Sequence, residues 1–459
     1  MEPMPQVSSN LPAAAAADPS SLWSWVFLAL SLWGAWFTWN AYRPIHRNRH
    51  LSVLSFFAGW FTVELPLHHI IWQAVLTVVF IAMGALQHAA GWLGLAITVA
   101  SWIGLARLVA SARSVGSIVD SSLDEGLGGE YRCVITAERT AALVPGFDRR
   151  QMALPFPIRR RGVVRVKNVR YARVANFDLR LDVWHGEGRP SGCPVLLQIH
   201  GGAWILGSKN EQGLPLMQLL ASRGWVCVSA DYRLSPRATF PDHLVDLKRA
   251  IAWIREHIAE YGGDPELLVV TGGSAGGHLC SMVALTANAP EYQPGFEQVD
   301  TSVAGCVSFY GVYDFRDRER HWKHTGFQRL LERQVMKATV DEAPEAFDRA
   351  SPITRVNADA PPFFVIHGTN DTLVPVESAR RFVAALRAVS REPVVYLELP
   401  GAQHAFEIFP SFRTALVLGG VERFLAWLLS RREAELARGA DDVSEAAAAV
   451  AKQRESMVG

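Results

Sequence analysis

The sequence predicts an α/β protein: a mostly parallel central sheet with helices on both faces and a helical cap, preceded by an all-α transmembrane region. Three observations carry this. From Val163 onward, short apolar runs alternate with helical patterns. One of these runs ends in a glycine-flanked serine. The first third holds long apolar stretches with almost no charge. Strands of a parallel sheet are covered on both faces and read as continuous apolar runs, and alternating β and α segments imply that sheet.

The elements follow in chain order. Residues 1–21 are read as a disordered N-terminus and 22–110 as the transmembrane region. Leu22–Trp39, Ile70–Leu86 and Gly91–Ala106 are apolar, each near the length that crosses a hydrocarbon core of roughly 30 Å. Trp23, Trp25, Trp36, Trp39, Trp72, Trp92 and Trp102 lie mostly near their ends, as in an interfacial belt. Three such runs leave a soluble domain little polar face to show water. No Lys or Arg precedes the first run, so it reads as an uncleaved span, not a signal peptide. Leu51–Leu65 is short and aromatic and reaches Glu64. It is expected to be an interfacial or re-entrant helix in preference to a fourth span. With three spans, Arg43, Arg47, Arg49, Arg107 and Arg113 share the cytoplasmic side, and the rest of the chain lies with them.

Residues 111–162 are read as a linker that contributes to the cap. Its Arg149, Arg150, Arg159, Arg160 and Arg161 are read first as a solvated cluster. The second reading is contact with anionic headgroups, worth about 1 kcal/mol per basic residue. Residues 163–430 form the catalytic domain. Val163–Ala172 and Asn176–Trp184 alternate like an antiparallel edge. Leu196–Ile199, Val226–Ala230, Leu267–Val270, Val303–Phe309, Phe363–Ile366 and Val394–Leu399 read as central strands. Leu244–Tyr261, Val376–Val389 and Phe412–Leu429 are the helices between and after them. Phe315–Ala350 interrupts the alternation and is read as the cap. The tail 431–459 is charged and alanine-rich, and is expected to fray.

The chemistry sits at strand ends. Leu267–Val270 runs through Thr271 into Gly272-Gly273-Ser274-Ala275-Gly276 and then into helix-forming residues. A serine on such a sharp turn is held in a strained conformation, and Gly272 and Gly276 are needed where side chains would clash. Upstream, a strand ends in His200-Gly201-Gly202-Ala203-Trp204. Acyl transfer builds charge on the carbonyl oxygen, so N–H donors must already point at it. Gly202, Ala203 and Ala275 are the expected donors, with Gly201 a possible fourth; His200 is read as an anchor of the loop. Chain order then requires an acid and afterwards a histidine. His404 is the one histidine after His367 and is the expected general base. Asp371, after the Phe363–Ile366 strand, is the expected acid. Glu377 is the fallback, and Asp314 is expected to cap a turn or line the cap.

These motifs resemble the hormone-sensitive-lipase-like carboxylesterases of the α/β-hydrolase fold. The similarity lies in His200-Gly201-Gly202, Gly273-Ser274-Ala275-Gly276-Gly277, and Asp231-Tyr232-Arg233-Leu234-Ser235-Pro236 with Phe240-Pro241. It covers about Val163 to Ser430. One departure is Gly273, where many members carry an acidic residue. The His-Gly-Gly-x-Trp form with Lys209 also resembles kynurenine formamidases and feruloyl-esterase-like enzymes. The resemblance implies a serine hydrolase that cleaves carboxylic esters through an acyl-enzyme on Ser274. A membrane anchor favours a hydrophobic ester. The alternatives are an aryl-formamide hydrolase with the same triad, and a transport or docking protein with a regulatory hydrolase domain.

Composition bounds the rest. Lys and Arg number 45 against 44 Asp and Glu, which gives no electrostatic case for nucleic acid. The five cysteines have no metal-ligand spacing and are read as mostly buried thiols. No glycine-rich phosphate loop or dinucleotide fingerprint occurs, and the chemistry requires neither metal nor cofactor.

Overall fold

The computed structural model describes residues 19–143, 153, 154, 156, 160–188, 191–323 and 325–458. Arg149, Arg150 and Arg159 of the expected arginine cluster, and most of the expected N-terminal disorder, lie outside them. The chain divides into two compact units: residues 1–39 with 66–107, and residues 40–65 with 108–459.

The first unit contains most of α1 (Pro19–Tyr42), α3 (Pro66–Ala82) and most of α4 (Ala89–Arg113). These stand where the three apolar runs predicted spans. By length and composition, the helical stretch Ala89–Leu127 is the one described helix able to cross a membrane by itself; α3 reaches that standard only together with the helix before it. Its internal contacts are partly polar. Ser24 Oγ donates to the Ala85 carbonyl at 2.6 Å, Thr98 bonds Ser31 at 3.0 Å, and Thr38 bonds Ser101 at 2.7 Å. Phe27 stacks on Phe80 with centroids 5.8 Å apart.

The second unit is a three-layer sandwich. Its sheet comprises β1 (Val163–Val174), β2 (Phe177–Gly186), β3 (Cys193–Ile199), β4 (Val226–Ala230), β5 (Gly263–Gly273), β6 (Gly305–Phe309), β7 (Phe363–Gly368) and β8 (Val394–Leu399). The order is β1-β2-β4-β3-β5-β6-β7-β8. β1 and β2 pair antiparallel, as does β2 with β4, and every other pair is parallel. The alternation of β1 and β2 is thus the antiparallel edge expected from their sequence. The central strands are apolar on both sides because helices cover both faces. On β7, Phe363 and Val365 pack into one core and Phe364 and Ile366 into the other. The first core takes α7 (Asp242–His257), α8 (Ala275–Leu285) and α9 (Val376–Val389). The second takes α5 (Val115–Leu127), α6 (Leu214–Ala221) and α10 (Phe412–Val458).

Two differences from the sequence reading matter. α5 is a sheet-covering helix, not a linker. A Cβ on its Gly126 would stand 2.7 Å from the Val395 Cα of β8, and one on Gly420 of α10 would meet Val119 at 2.4 Å. Secondly, α2 (Arg49–Glu64) belongs to the second unit. Its hydroxyls and one carboxylate face the protein, a face that a search for apolar runs does not register. The backbone of α10 stays helical through Val458, where the tail was expected to fray. The stretch between β6 and β7 carries short helices at Gly326–Leu330 and Pro344–Arg349, in the place assigned to the cap.

Candidate active site

Ser274 stands between β5 and α8 at φ 62° and ψ −121°. A non-glycine residue there is strained and persists only where its surroundings hold it. They do so by close packing. A Cβ on Gly272 would lie 2.4 Å from the Gly276 carbonyl oxygen, and one on Gly276 2.1 Å from that of Ile199. The Ser274 N–H donates to the Phe309 carbonyl at 3.0 Å, tying the turn to β6.

The His200–Trp204 loop lies against this turn, since a Cβ on Gly201 would come 2.7 Å from the Gly273 carbonyl oxygen. His200 is stacked on Tyr232 with centroids 4.3 Å apart, and Tyr232 Oη donates to the His200 carbonyl at 3.0 Å. Burial pushes the His200 imidazole below its ordinary pKa, which suits an anchoring role better than proton transfer. Among the described residues, the N–H groups of Gly202 and Ala203 have no hydrogen-bond acceptor. Ala275 opens α8, where a backbone N–H has no intrahelical partner. Gly201 is a correction. Its N–H donates to Gln212 Oε1 at 2.5 Å and is not free to hold an oxyanion. Trp204 secures the far side of the loop. Its Nε1–H donates to His278 Nδ1 at 3.3 Å, and His278 Nε2 bonds the Ala350 carbonyl at 2.7 Å. Lys209 is buried and pairs with Asp231 at 3.0 Å.

Asp371 and His404 come together as expected. His404 Nδ1 lies 2.6 Å from Asp371 Oδ2. Asp371 Oδ1 accepts the N–H groups of Leu373 at 2.9 Å and Val374 at 2.8 Å. Burial alone would raise the Asp371 carboxyl. The charge of His404 and the histidine hydrogen bonds outweigh it and hold the group well below the usual carboxylate range. Glu377 lies at the start of α9 and lines a cavity beside Asp371. Asp314 caps a turn, accepting the N–H groups of Arg316 and Arg318, both at 3.0 Å.

Sequence reasoning missed three contributors. His367 Nε2 stands 3.3 Å from Asp371 Oδ2 and 3.0 Å from the Val374 carbonyl, so it is the protonated nitrogen facing both. Gln403 Oε1 accepts the N–H of Thr372 at 2.8 Å and that of His404 at 2.9 Å, joining the two loops. Tyr310 packs on His404 with ring centroids 4.5 Å apart, and a Cβ on Gly273 would meet its Oη at 2.5 Å. It therefore ties the serine turn to His404 and explains why position 273 is glycine. Its hydroxyl donates to Glu407. Burial pushes the Glu407 carboxyl up to about 7. Only the placement of Tyr310 and His367 at the ends of β6 and β7 signalled them in the sequence.

The N-terminal helix α2 also reaches this site. Phe56 presents its edge to His404 with centroids 6.2 Å apart, and Trp60 Nε1 donates to the Ala405 carbonyl at 2.8 Å. Glu64 pairs with buried Arg413 at 2.5 Å and accepts from Ser411 Oγ at 2.6 Å. The Asp371 loop is held from the same segment. Asn370 Nδ2 donates to the Ala41 carbonyl at 3.0 Å, and Thr372 Oγ1 to that of Ser52 at 3.3 Å.

The BD-FAE family profile matches residues 181–386. The chain is 43% identical over 414 residues to a probable carboxylic ester hydrolase, LipM, of Mycobacterium tuberculosis, covering 86% of this chain and 92% of that protein. It is 39% identical to the esterase LipQ of the same organism, over 76% of this chain and 86% of that one. It is 48% identical to the esterase LipC, over 53% and 61%. The sheet topology, the strained serine and these relatives agree: the chain belongs to the hormone-sensitive-lipase-like carboxylic ester hydrolases of the α/β-hydrolase fold.

Proposed function

We propose that the protein is a membrane-anchored serine esterase acting on hydrophobic esters through an acyl-enzyme on Ser274. The observation that carries the mechanism is the 2.6 Å contact between His404 and Asp371, with Tyr310 packed against both His404 and the strained serine turn. His404 Nε2 takes the Ser274 proton as Oγ attacks the ester carbonyl. The N–H groups of Gly202, Ala203 and Ala275 hold the oxyanion. His404 returns the proton to the leaving alcohol, then activates the water that releases the acid. Asp371 fixes the imidazole tautomer and stabilises its charged form. Relatives named as ester hydrolases favour the ester over the formamide.

Membrane anchoring is supported by an inverted pattern in the first unit. Ser24, Ser31, Thr38, Gln73, Thr77, Thr98 and Ser101 are buried, whereas Trp25, Trp33, Ile71, Val75, Val78, Trp92 and Ile103 are exposed. Water selects the opposite arrangement, and lipid selects this one. The division of the chain supports three spans. If α1, α3 and α4 each cross, residues 40–65 and 108–459 fall on one side, and these residues make one unit. Arg43, Arg47 and Arg113 fall in those residues, which argues for the cytoplasm.

The test uses detergent-purified protein, a short p-nitrophenyl ester and a fluorophosphonate probe. Ser274→Ala is expected to lose labelling entirely and to lose turnover by roughly 10⁴-fold or more. Full labelling of that variant would remove Ser274 from the mechanism.

A further inference from the structure

The helix α2 keeps an apolar stripe outside a mixed inner face. Its protein-facing side carries buried Ser52, Ser55, Thr62 and Glu64 together with Phe56, Ala58 and Val63. Its opposite side carries Leu51, Val53, Leu54, Phe57 and Phe61, all exposed, with Phe57 at 47% and Phe61 at 40%. In chain order these outward residues recur at helical spacing and form one stripe. Exposed apolar stripes of this kind mark interaction surfaces.

The occupant follows from chain connectivity and charge. α1 runs into the turn before α2, and α3 begins at Pro66, two residues after α2 ends. Both neighbours in sequence are the apolar helices read above as membrane spans. The turn between α1 and α2 carries Arg43 and Arg47, and Arg47 is exposed. An apolar stripe beside basic residues fits the interfacial zone of an anionic bilayer.

We infer that α2 lies in the lipid interface and seats the loops of Asp371 and His404 there, so that bilayer-dissolved esters are delivered beside the triad. The inference rests on the anchoring proposed above and deepens it. The inward face of α2 supplies the coupling. Trp60 bonds the residue after His404, Phe56 touches the His404 ring, and the Ser52 carbonyl holds Thr372. A cavity of about 500 Å³ beside Asp371 is walled in part by Pro44, Ile45 and His46, from the turn that leads into α2. The turn that leads into the lipid-facing helix therefore also frames the space next to the catalytic acid.

The full chain is tested in vesicles of phosphatidylcholine and phosphatidylglycerol. Leu51→Asp/Leu54→Asp changes only exposed side chains of the outward stripe, and Leu51→Ser/Leu54→Ser is the milder partner. Turnover is compared for a water-soluble p-nitrophenyl acetate and for a long-chain ester embedded in the vesicles. Both variants are expected to keep soluble-ester turnover and fluorophosphonate labelling within about twofold. Turnover of the embedded ester is expected to fall tenfold or more, further for Asp than for Ser. Equal loss on both esters, or loss on neither, overturns the inference. Anchoring is read separately by alkaline carbonate extraction. Wild type released by carbonate overturns the anchoring and with it this inference; retained wild type and variants with an unchanged ratio of the two activities overturn the role of α2 alone.

Discussion

Tyr310 fills the space that a side chain at position 273 would need. Its ring packs on His404, and its hydroxyl is bonded to Glu407. Glu407 Oε2 is buried and has no partner among the described atoms. Burial, reinforced by the nearby Glu64 charge, raises its carboxyl to about 7. The sign of the linkage is then set. The folded state favours the protonated acid, so its stability is fully present below the unfolded value near 4.5. Stability is lost as pH rises through about 7. Glu407→Gln is expected to match wild type at pH 5 and to be more stable at pH 8 by roughly 2 kcal/mol. Urea unfolding of detergent-purified protein at the two pH values measures this. A stability difference that does not change between them would remove Glu407 as the titrating group.

At the scale of elements, two loops at neighbouring strand ends must be held in register for His404 to meet Asp371. Gln403 bridges them from within, and α2 clamps them from outside. The anchor of the clamp is the Glu64–Arg413 pair, with both side chains at most 1% exposed. Removing one partner of such a pair strands a buried charge and costs about 3–5 kcal/mol. Glu64→Gln is therefore expected to lower the thermal midpoint sharply in detergent. Glu64→Leu/Arg413→Met, which removes both charges, should recover most of the loss. A single variant as stable as wild type would show that the clamp is held by its other contacts.

At the scale of the whole molecule, residues 40–65 belong to the same unit as residues 108–459 although two apolar helices, α3 and α4, separate them in sequence. A chain beginning at Leu108 keeps Ser274, Asp371 and His404 but lacks every α2 contact to their loops. It is expected to lose esterase turnover by at least tenfold, and a chain in which residues 40–65 are fused back through a flexible linker should regain it. Full activity in the shorter chain, read with p-nitrophenyl acetate, would mean that the loops hold themselves.

Much of this was legible beforehand. The parallel sheet announced itself because strands buried on both faces leave uninterrupted apolar runs such as Phe363–Ile366. Ser274, Asp371 and His404 could be named because an elbow needs glycines and because chain order left one later histidine. Local chemistry and order along the chain are enough to nominate these three residues. The acceptor that occupies the Gly201 N–H, the second histidine on Asp371, Tyr310 behind Gly273 and α2 over the catalytic loops all required the tertiary structure. Each joins residues far apart in the chain through packing or a single hydrogen bond. Such contacts leave no period, spacing or composition in the sequence, because what selects them is the shape and charge of a partner that only folding brings near.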